Sequence, residues 1–208
     1  MAQARAAMVE EQIVARGVTD PEVLEALRRV PRHRFVPEDY LLQAHADHPL
    51  PIGQDQTISQ PYIVAFMAQA LALQGRERVL EVGSGSGYMA AVLSLLAREV
   101  HAMELESTLC ERSRHLLREL GYENIQVRCG NGSLGWPEAA PFDAIILSCA
   151  CPKVPALLWQ QLAGGGCLLL PLGPPQGLQY LVKFLKTAGG PRRQDLLAVS
   201  FVPLRSGP

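Results

Sequence analysis

Gly83, Gly85 and Gly87 stand at alternate positions between two apolar runs, Val79-Leu80-Glu81-Val82 and Met89-Ala90-Ala91-Val92-Leu93-Ser94-Leu95-Leu96. A strand that runs into a glycine turn and then into a helix makes a cradle for a nucleotide-like ligand. Glycine lets the backbone approach the ligand closely, and the helix start offers unpaired N–H groups. A pyrophosphate-binding loop would place its third glycine one residue later. Tyr88 occupies that position, which disfavours an NAD oxidoreductase. Two acids accompany the loop, Glu81 on the leading strand and Glu104 at the predicted end of the next one. An acid at the end of the second strand is where ribose hydroxyls are held. A ribose-binding acid without a pyrophosphate loop points to an adenosine cofactor with a short tail, and S-adenosyl-L-methionine fits best.

Other reactive residues read more plainly. Ser59-Gln60-Pro61 has the form of a helix N-cap. His45 and His48 are two loop histidines with no evident third ligand, so no metal is expected. The five cysteines are odd in number and scattered. They read as buried reduced thiols in a cytosolic protein rather than as a disulfide framework.

The elements that must position these residues follow from periodicity. Two helices open the chain. The first carries Met8, Val9, Gln12 and Ile13 at helical spacing and stops at Gly17; the second starts on Asp20-Pro21 and stops at Pro31. Residues 43–56, with Pro49, Pro51 and Gly53, read as an irregular surface loop. A helix restarts at Ser59-Gln60-Pro61 and runs to Leu73. Strands are then predicted over Arg78–Gly83, Glu99–Leu105, Ile125–Cys129, Phe142–Ser148 and Gly166–Pro171. Between them lie a helix with Thr108 and Glu111 as a capping box and Gly121 as its stop, and another over Val154–Leu162. Leu178–Phe184 and Leu196–Pro203 form a late hairpin around a polar turn at Lys186–Gln194. The alternation implies an α/β fold, a mostly parallel sheet with helices on both faces, closed by an antiparallel hairpin and preceded by a helical extension.

With 208 residues, the chain is read as one domain, 1–56 forming the helices and loop and 57–208 the core. A formal charge of −1 gives no electrostatic footprint for nucleic acid or an anionic membrane. No apolar run approaches the ~20 residues needed to span a bilayer. The N-terminal residues lack an apolar signal core, so a cytoplasmic protein is expected.

Four segments resemble the protein-L-isoaspartate O-methyltransferase family over nearly the whole length. They are Met8-Val9-Glu10-Glu11-Gln12-Ile13 with Pro31-Arg32-His33-Arg34-Phe35-Val36-Pro37; Pro51-Ile52-Gly53 with Gln56-Thr57-Ile58-Ser59-Gln60-Pro61; Glu81–Tyr88; and Gly135-Trp136-Pro137 with Phe142-Asp143-Ala144-Ile145-Ile146 and Phe201-Val202-Pro203-Leu204. The second is the most specific, because it is not a general feature of the fold. The resemblance implies a Rossmann-like methyltransferase that transfers a methyl group from S-adenosylmethionine to the free α-carboxyl of L-isoaspartyl residues in damaged proteins and peptides; a monomer is expected, though no residue pattern specifies the oligomeric state. It places Ser59, with Thr57 close by, against the reacting carboxylate. It places the cofactor against Glu81, Gly83, Ser84, Gly85, Gly87, Glu104, Leu105, Gly130, Asn131 and Gly132. One departure stands out: Gly130-Asn131-Gly132 replaces the family's usual Gly-Asp-Gly, so a neutral acceptor faces the adenine amino group and weaker cofactor binding is expected. Cys149-Ala150-Cys151 reads as packing beside the cofactor, and Trp136 as packing beneath its loop or simply in the core. Asn131 and the altered end of strand four leave open a relative that methylates another carboxylate or a small molecule. A non-catalytic protein that keeps the cofactor site is the further alternative.

Overall fold

The computed structural model describes residues 1–174 and 176–206; the last two residues of the expected 57–208 core lie outside them. A seven-stranded sheet organises the chain in the order β5-β4-β3-β6-β7-β8-β9. The first five of these strands are parallel: β3 (Arg78–Val82), β4 (Glu99–Glu104), β5 (Ile125–Cys129), β6 (Phe142–Leu147) and β7 (Leu162–Leu172). The last two, β8 (Gln179–Thr187) and β9 (Gly190–Val199), add antiparallel at one edge. β3 is the middle of the five parallel strands. The chain builds outward on one side through β4 and β5 and then crosses to the other side with β6. Ligands bind at such a switch point, outside the carboxyl ends of the strands.

Side chains alternate across the sheet and feed two apolar cores. Val79, Val100, Ala102, Ala144 and Ile146 pack on one face with the N-terminal helices, α3 (Pro61–Leu71) and α4 (Tyr88–Ser94). Leu80, Val82, Met103, Ile145 and Leu147 pack on the other with Trp136 and with Leu158 of α6 (Ala156–Gln161). α5 (Ser107–Glu119) leads from β4 back to β5. Glu81 shares a face with Val79, so its carboxyl points toward the α3–α4 side.

The N-terminal helix begins as α1 (Ala2–Ala7), continues through a wide-turn segment at Met8–Ile13, and ends at Gly17 with φ +87°. α2 (Pro21–Arg29) is capped as expected: the Asp20 carboxylate accepts from the Glu22 and Val23 amides. Gly121, with φ +79°, follows α5 as its stop. Ala140-Pro141 is a cis peptide.

Several sequence expectations need correction. Residues 43–56 are not wholly irregular. β1 (Leu50–Gly53) and β2 (Gln56–Ile58) pair as an antiparallel hairpin, with Leu50 and Ile52 buried. Its tip is Gln54-Asp55, both at positive φ, a conformation that hairpins usually mark with Asn-Gly. The capping box at Thr108 and Glu111 is absent. α5 begins at Ser107 behind Glu106, and the Glu111 side chain instead pairs with Arg114. The polar turn assigned to Lys186–Gln194 is mostly strand, with Thr187 facing Gly190. Cys110 and Cys129 form a disulfide between α5 and the end of β5, whereas Cys149, Cys151 and Cys167 are free and buried. The folded chain brings that pair together across 19 residues of sequence, a proximity that spacing does not reveal.

Candidate active site

The glycine turn leaves β3 with Gly83, Gly85 and Gly87 all at positive φ, which side-chain-bearing residues rarely adopt. Space is also limiting. A Cβ on Gly85 would stand 3.2 Å from Ile52 Cδ1, so the β1–β2 hairpin lies directly against the loop. A Cβ on Gly132 would overlap Val82 Cγ1 at 2.4 Å. Leu105 and Glu106 lead from β4 into α5 on one side of the loop. Gly130-Asn131-Gly132 leads out of β5 on the other, with the Gly130 amide donating to Glu104 O at 2.8 Å.

Between these segments lies a narrow crevice lined by Thr57, Gly83, Gly85, Glu104, Leu105, Gly132, Ser148 and Cys149 among others. Its outer wall is the C-terminal segment. The Ala150 amide donates to Val202 O, the Leu204 amide donates back to Ala150 O, and Arg205 reaches Glu106 Oε1 at 2.6 Å. A second, open cleft is lined by Thr57, Ser59, Gln60, Ile63, Ser148 and residues 198–202. A tight space joining the two is bounded by Thr57, Ser59, Glu81, Ser84, Ser86, Tyr88 and Ser148. Thr57 and Ser148 belong to all three.

The two carboxylates stand in contrasting environments. Glu104 accepts the Gly85 amide at 2.7 Å on one oxygen and the Glu106 amide at 2.9 Å on the other. Glu81 is fully buried. Its Oε1 accepts from the Ser148 hydroxyl at 3.0 Å, and its Oε2 has no partner. Burial pushes the Glu81 carboxyl up to about 8, against the pull of the Ser148 bond and of the nearby Ala90 amide, and with some help from the Glu104 charge. The Ser84 hydroxyl is likewise buried without a partner. An unpaired acid oxygen and an unpaired hydroxyl around a glycine turn suit a ligand bearing an ammonium and a carboxylate, as the amino-acid tail of S-adenosylmethionine does.

Ser59 lies one residue ahead of the α3 N-cap, which is Gln60, and that helix start has no side-chain cap. The N-cap reading of Ser59 is therefore corrected, and its hydroxyl is left free of that duty. Its carbonyl accepts from Arg32 Nη2 at 2.8 Å. Asn131 caps the short turn after β5, its Oδ1 accepting from the Ser133 amide at 3.0 Å and the Ser133 hydroxyl at 2.7 Å. Neither Asn131 nor Gly130 lines the crevice. Trp136 is buried in the sheet's second core with its ring edge-on to His101. His45 packs against His33 rather than His48, with ring centroids 6.0 Å apart.

Sequence reasoning gave no site role to Ser148 or Arg32, and it placed Tyr88 at the end of the cofactor loop without a contact. It placed Phe201–Pro203 in the last strand of the hairpin, whereas β9 ends at Val199 and Val202, Pro203 and Leu204 line the crevice. Ser148 ends a strand next to β3, and strand ends beside a glycine turn are where such residues could have been sought.

This architecture and crevice define a Rossmann-like methyltransferase. The family model for protein-L-isoaspartate(D-aspartate) O-methyltransferase matches residues 3–208, and the chain belongs to that family of S-adenosylmethionine-dependent enzymes. The chain is 60% identical over 203 residues to protein-L-isoaspartate O-methyltransferase 2 of Anaeromyxobacter sp. (strain Fw109-5), covering 98% of this chain and 84% of the relative. It is 53% identical over 201 residues to protein-L-isoaspartate O-methyltransferase 2 of Marinobacter nauticus, covering 96% and 92%. A solved protein-L-isoaspartate O-methyltransferase superposes with a TM-score of 0.87 at 28% identity; the match covers 98% of this chain and 65% of that longer one.

Proposed function

We propose that this chain transfers a methyl group from S-adenosylmethionine to the free α-carboxyl of L-isoaspartyl residues in proteins and peptides, the first step in returning them to the normal linkage. Beyond family membership, the observation that carries the reading is the meeting of a narrow crevice and a wider cleft at Thr57 and Ser148, with Ser59 on the cleft side. One side suits an adenosine cofactor. The other is open enough for a polypeptide segment.

When bound, the cofactor supplies an electrophilic methyl on a sulfonium. A carboxylate is already ionised at neutral pH, so no general base is needed. The chain's task is to align the reactants and exclude water. In this reading, Glu104 holds the ribose hydroxyls while its oxygens keep the Gly85 and Glu106 amides in place. Gly83, Gly85 and Gly87 allow the backbone to come close, and Ser84 offers its hydroxyl to the tail. Glu81 receives the ammonium group on its unpaired oxygen. Leu105 and Gly132 border the adenine, and Gly130 and Asn131, which do not line the crevice, form the turn behind Gly132 from which the Asn131 side chain would have to reach the adenine edge. Ser59 donates its hydroxyl to the acceptor carboxylate, with Thr57 beside it.

Among the described residues no helix is long and apolar enough to cross a membrane. We read the protein as a cytoplasmic monomer that acts on other proteins. Matched peptides containing aspartate or isoaspartate test the function. Labelling confined to the isoaspartyl peptide is expected, and equal labelling of both would remove the assignment. Ser59→Ala is expected to lower turnover at unchanged thermal stability.

A further inference from the structure

Arg32 is completely buried, yet no carboxylate among the described residues lies within salt-bridge distance of it. Its Nε donates to Ala44 O and its Nη2 to Ser59 O, each at 2.8 Å. Nη1 has no partner. The guanidinium lies 4.8 Å from the centre of the Tyr88 ring, and Tyr88 bounds the space joining cofactor crevice and open cleft. An arginine stays protonated even where burial lowers its pKa. Buried charges are ordinarily paired, and leaving one without its anion is strongly unfavourable. Fixing the Ser59 carbonyl needs only a donor; a neutral side chain would do it without burying a charge.

We propose that Arg32 is a positioning and specificity residue for the acceptor. It ties the Ser59 backbone in place, and it sets a positive potential behind Ser59 that selects an ionised carboxyl group. This rests on the acceptor reading of Ser59 given above. Because the guanidinium is buried, its field reaches the cleft with little screening. The same charge works mildly against carboxylate nucleophilicity, so its contribution falls on binding of the acceptor rather than on the transfer step.

The test compares binding of an isoaspartyl peptide with its α-carboxamide twin, a neutral analogue that cannot be methylated, both measured directly on protein saturated with S-adenosylhomocysteine. The wild-type chain is expected to prefer the carboxylate by about tenfold or more. Arg32→Met should bring that preference close to one and raise KM for the isoaspartyl peptide by at least as much. It should change kcat by less than about fivefold and leave S-adenosylhomocysteine affinity within about twofold. Arg32→Lys, which keeps the charge and loses the planar donor fork, should retain most of the preference. Equal weakening of both peptides in Arg32→Met, or a parallel loss of S-adenosylhomocysteine binding, would reduce Arg32 to a structural clamp and overturn the proposal. Should Arg32→Met fail to fold, Arg32→Lys decides: preference kept within about threefold supports the charge, and preference lost refutes it. A wild-type chain that binds neither peptide would refute the acceptor reading itself.

Discussion

The two walls of the crevice are made differently. The cofactor wall is regular: parallel strands end in tight turns, Glu104 is paired locally with the Gly85 and Glu106 amides, and the unpartnered Glu81 and Ser84 atoms lie on the glycine turn itself. The acceptor wall is irregular. It is assembled from the first 60 residues by side chains that reach across the chain to backbone carbonyls: Arg32 to Ala44 and Ser59, Gln12 to His45, and Gln60 to Asp47. It also leaves buried polar atoms of Gln12, Arg32, His33, His45 and Asp47 without protein partners. Burial likewise holds the His45 imidazole down at about 4, neutral at physiological pH. A site for one fixed cofactor can be built from repeating hydrogen bonds. A site for an exposed, variable peptide segment is built by anchoring a loop from behind.

Glu81 sits where the walls meet, and replacing it should have the largest effect on the contrast. Its carboxyl titrates at about 8 in the folded chain against 4.5 ordinarily. The folded protein therefore keeps a proton that the unfolded chain gives up as pH rises from about 4.5 to 8, and stability falls through that window. Glu81→Gln removes this dependence, so thermal unfolding should show a mutant advantage that is small near pH 5 and grows until about pH 8. The same proton should leave when an ammonium-bearing ligand arrives. Calorimetry of S-adenosylhomocysteine binding at pH 7, in buffers of different ionisation enthalpy, should register proton release in the wild-type chain and none in Glu81→Gln. Absence of release from the wild type would show that the unpaired oxygen does not meet the ammonium.

Glu104→Ala tests the paired acid on the cofactor wall. It removes two hydrogen bonds from backbone amides to a charged group, each worth about 1.5–3 kcal/mol, along with the proposed ribose contact. S-adenosylhomocysteine should bind at least about a hundredfold more weakly. The carboxylate preference over a neutral acceptor, the property assigned to the other wall, should survive at saturating cofactor.

The disulfide ties the outer edge of the cofactor wall, joining Cys110 of α5 to Cys129, the residue before Gly130. Closing a loop of this length stabilises by about 3 kcal/mol. Reduction, or Cys110→Ser, should lower Tm by roughly 6–12 °C for a chain of this size, and the variant should no longer respond to reductant. A Tm unmoved by reductant in the wild type would mean that the two thiols are not joined in solution.

The cofactor wall was largely legible in the sequence because its signals are local. Gly83, Gly85 and Gly87 mark a turn whatever surrounds it, and Ile125–Cys129 announces a strand by composition alone. The acceptor wall was less legible. The β1–β2 hairpin turns at Gln54-Asp55 without the glycine that usually reveals a positive-φ turn, so Pro51 and Gly53 read as loop. Arg32 stood only as part of the matched run Pro31–Pro37 and was given no role, and composition offers no signal for it, since arginine is rarely buried without a partner. Its place depends on where Ala44 and Ser59 end up, which only the folded chain specifies. The disulfide was hidden for the same reason: α5 and β5 must first pack together.

Asn131 offers the smallest and most local test, at the edge of the cofactor wall. Its side-chain oxygen is already engaged by Ser133, so the neutral amide has little acceptor capacity left for an adenine amino group. An aspartate could keep the Ser133 bonds on one oxygen and offer the second, with charge, to the cofactor. Charged acceptors bond roughly twice as strongly as neutral ones. Asn131→Asp should therefore tighten S-adenosylhomocysteine by about three- to tenfold and leave KM for the isoaspartyl peptide unchanged. An unchanged cofactor affinity would place the adenine edge elsewhere and remove Asn131 from the site; a shift in acceptor KM would mean that the two walls are coupled through the turn after β5.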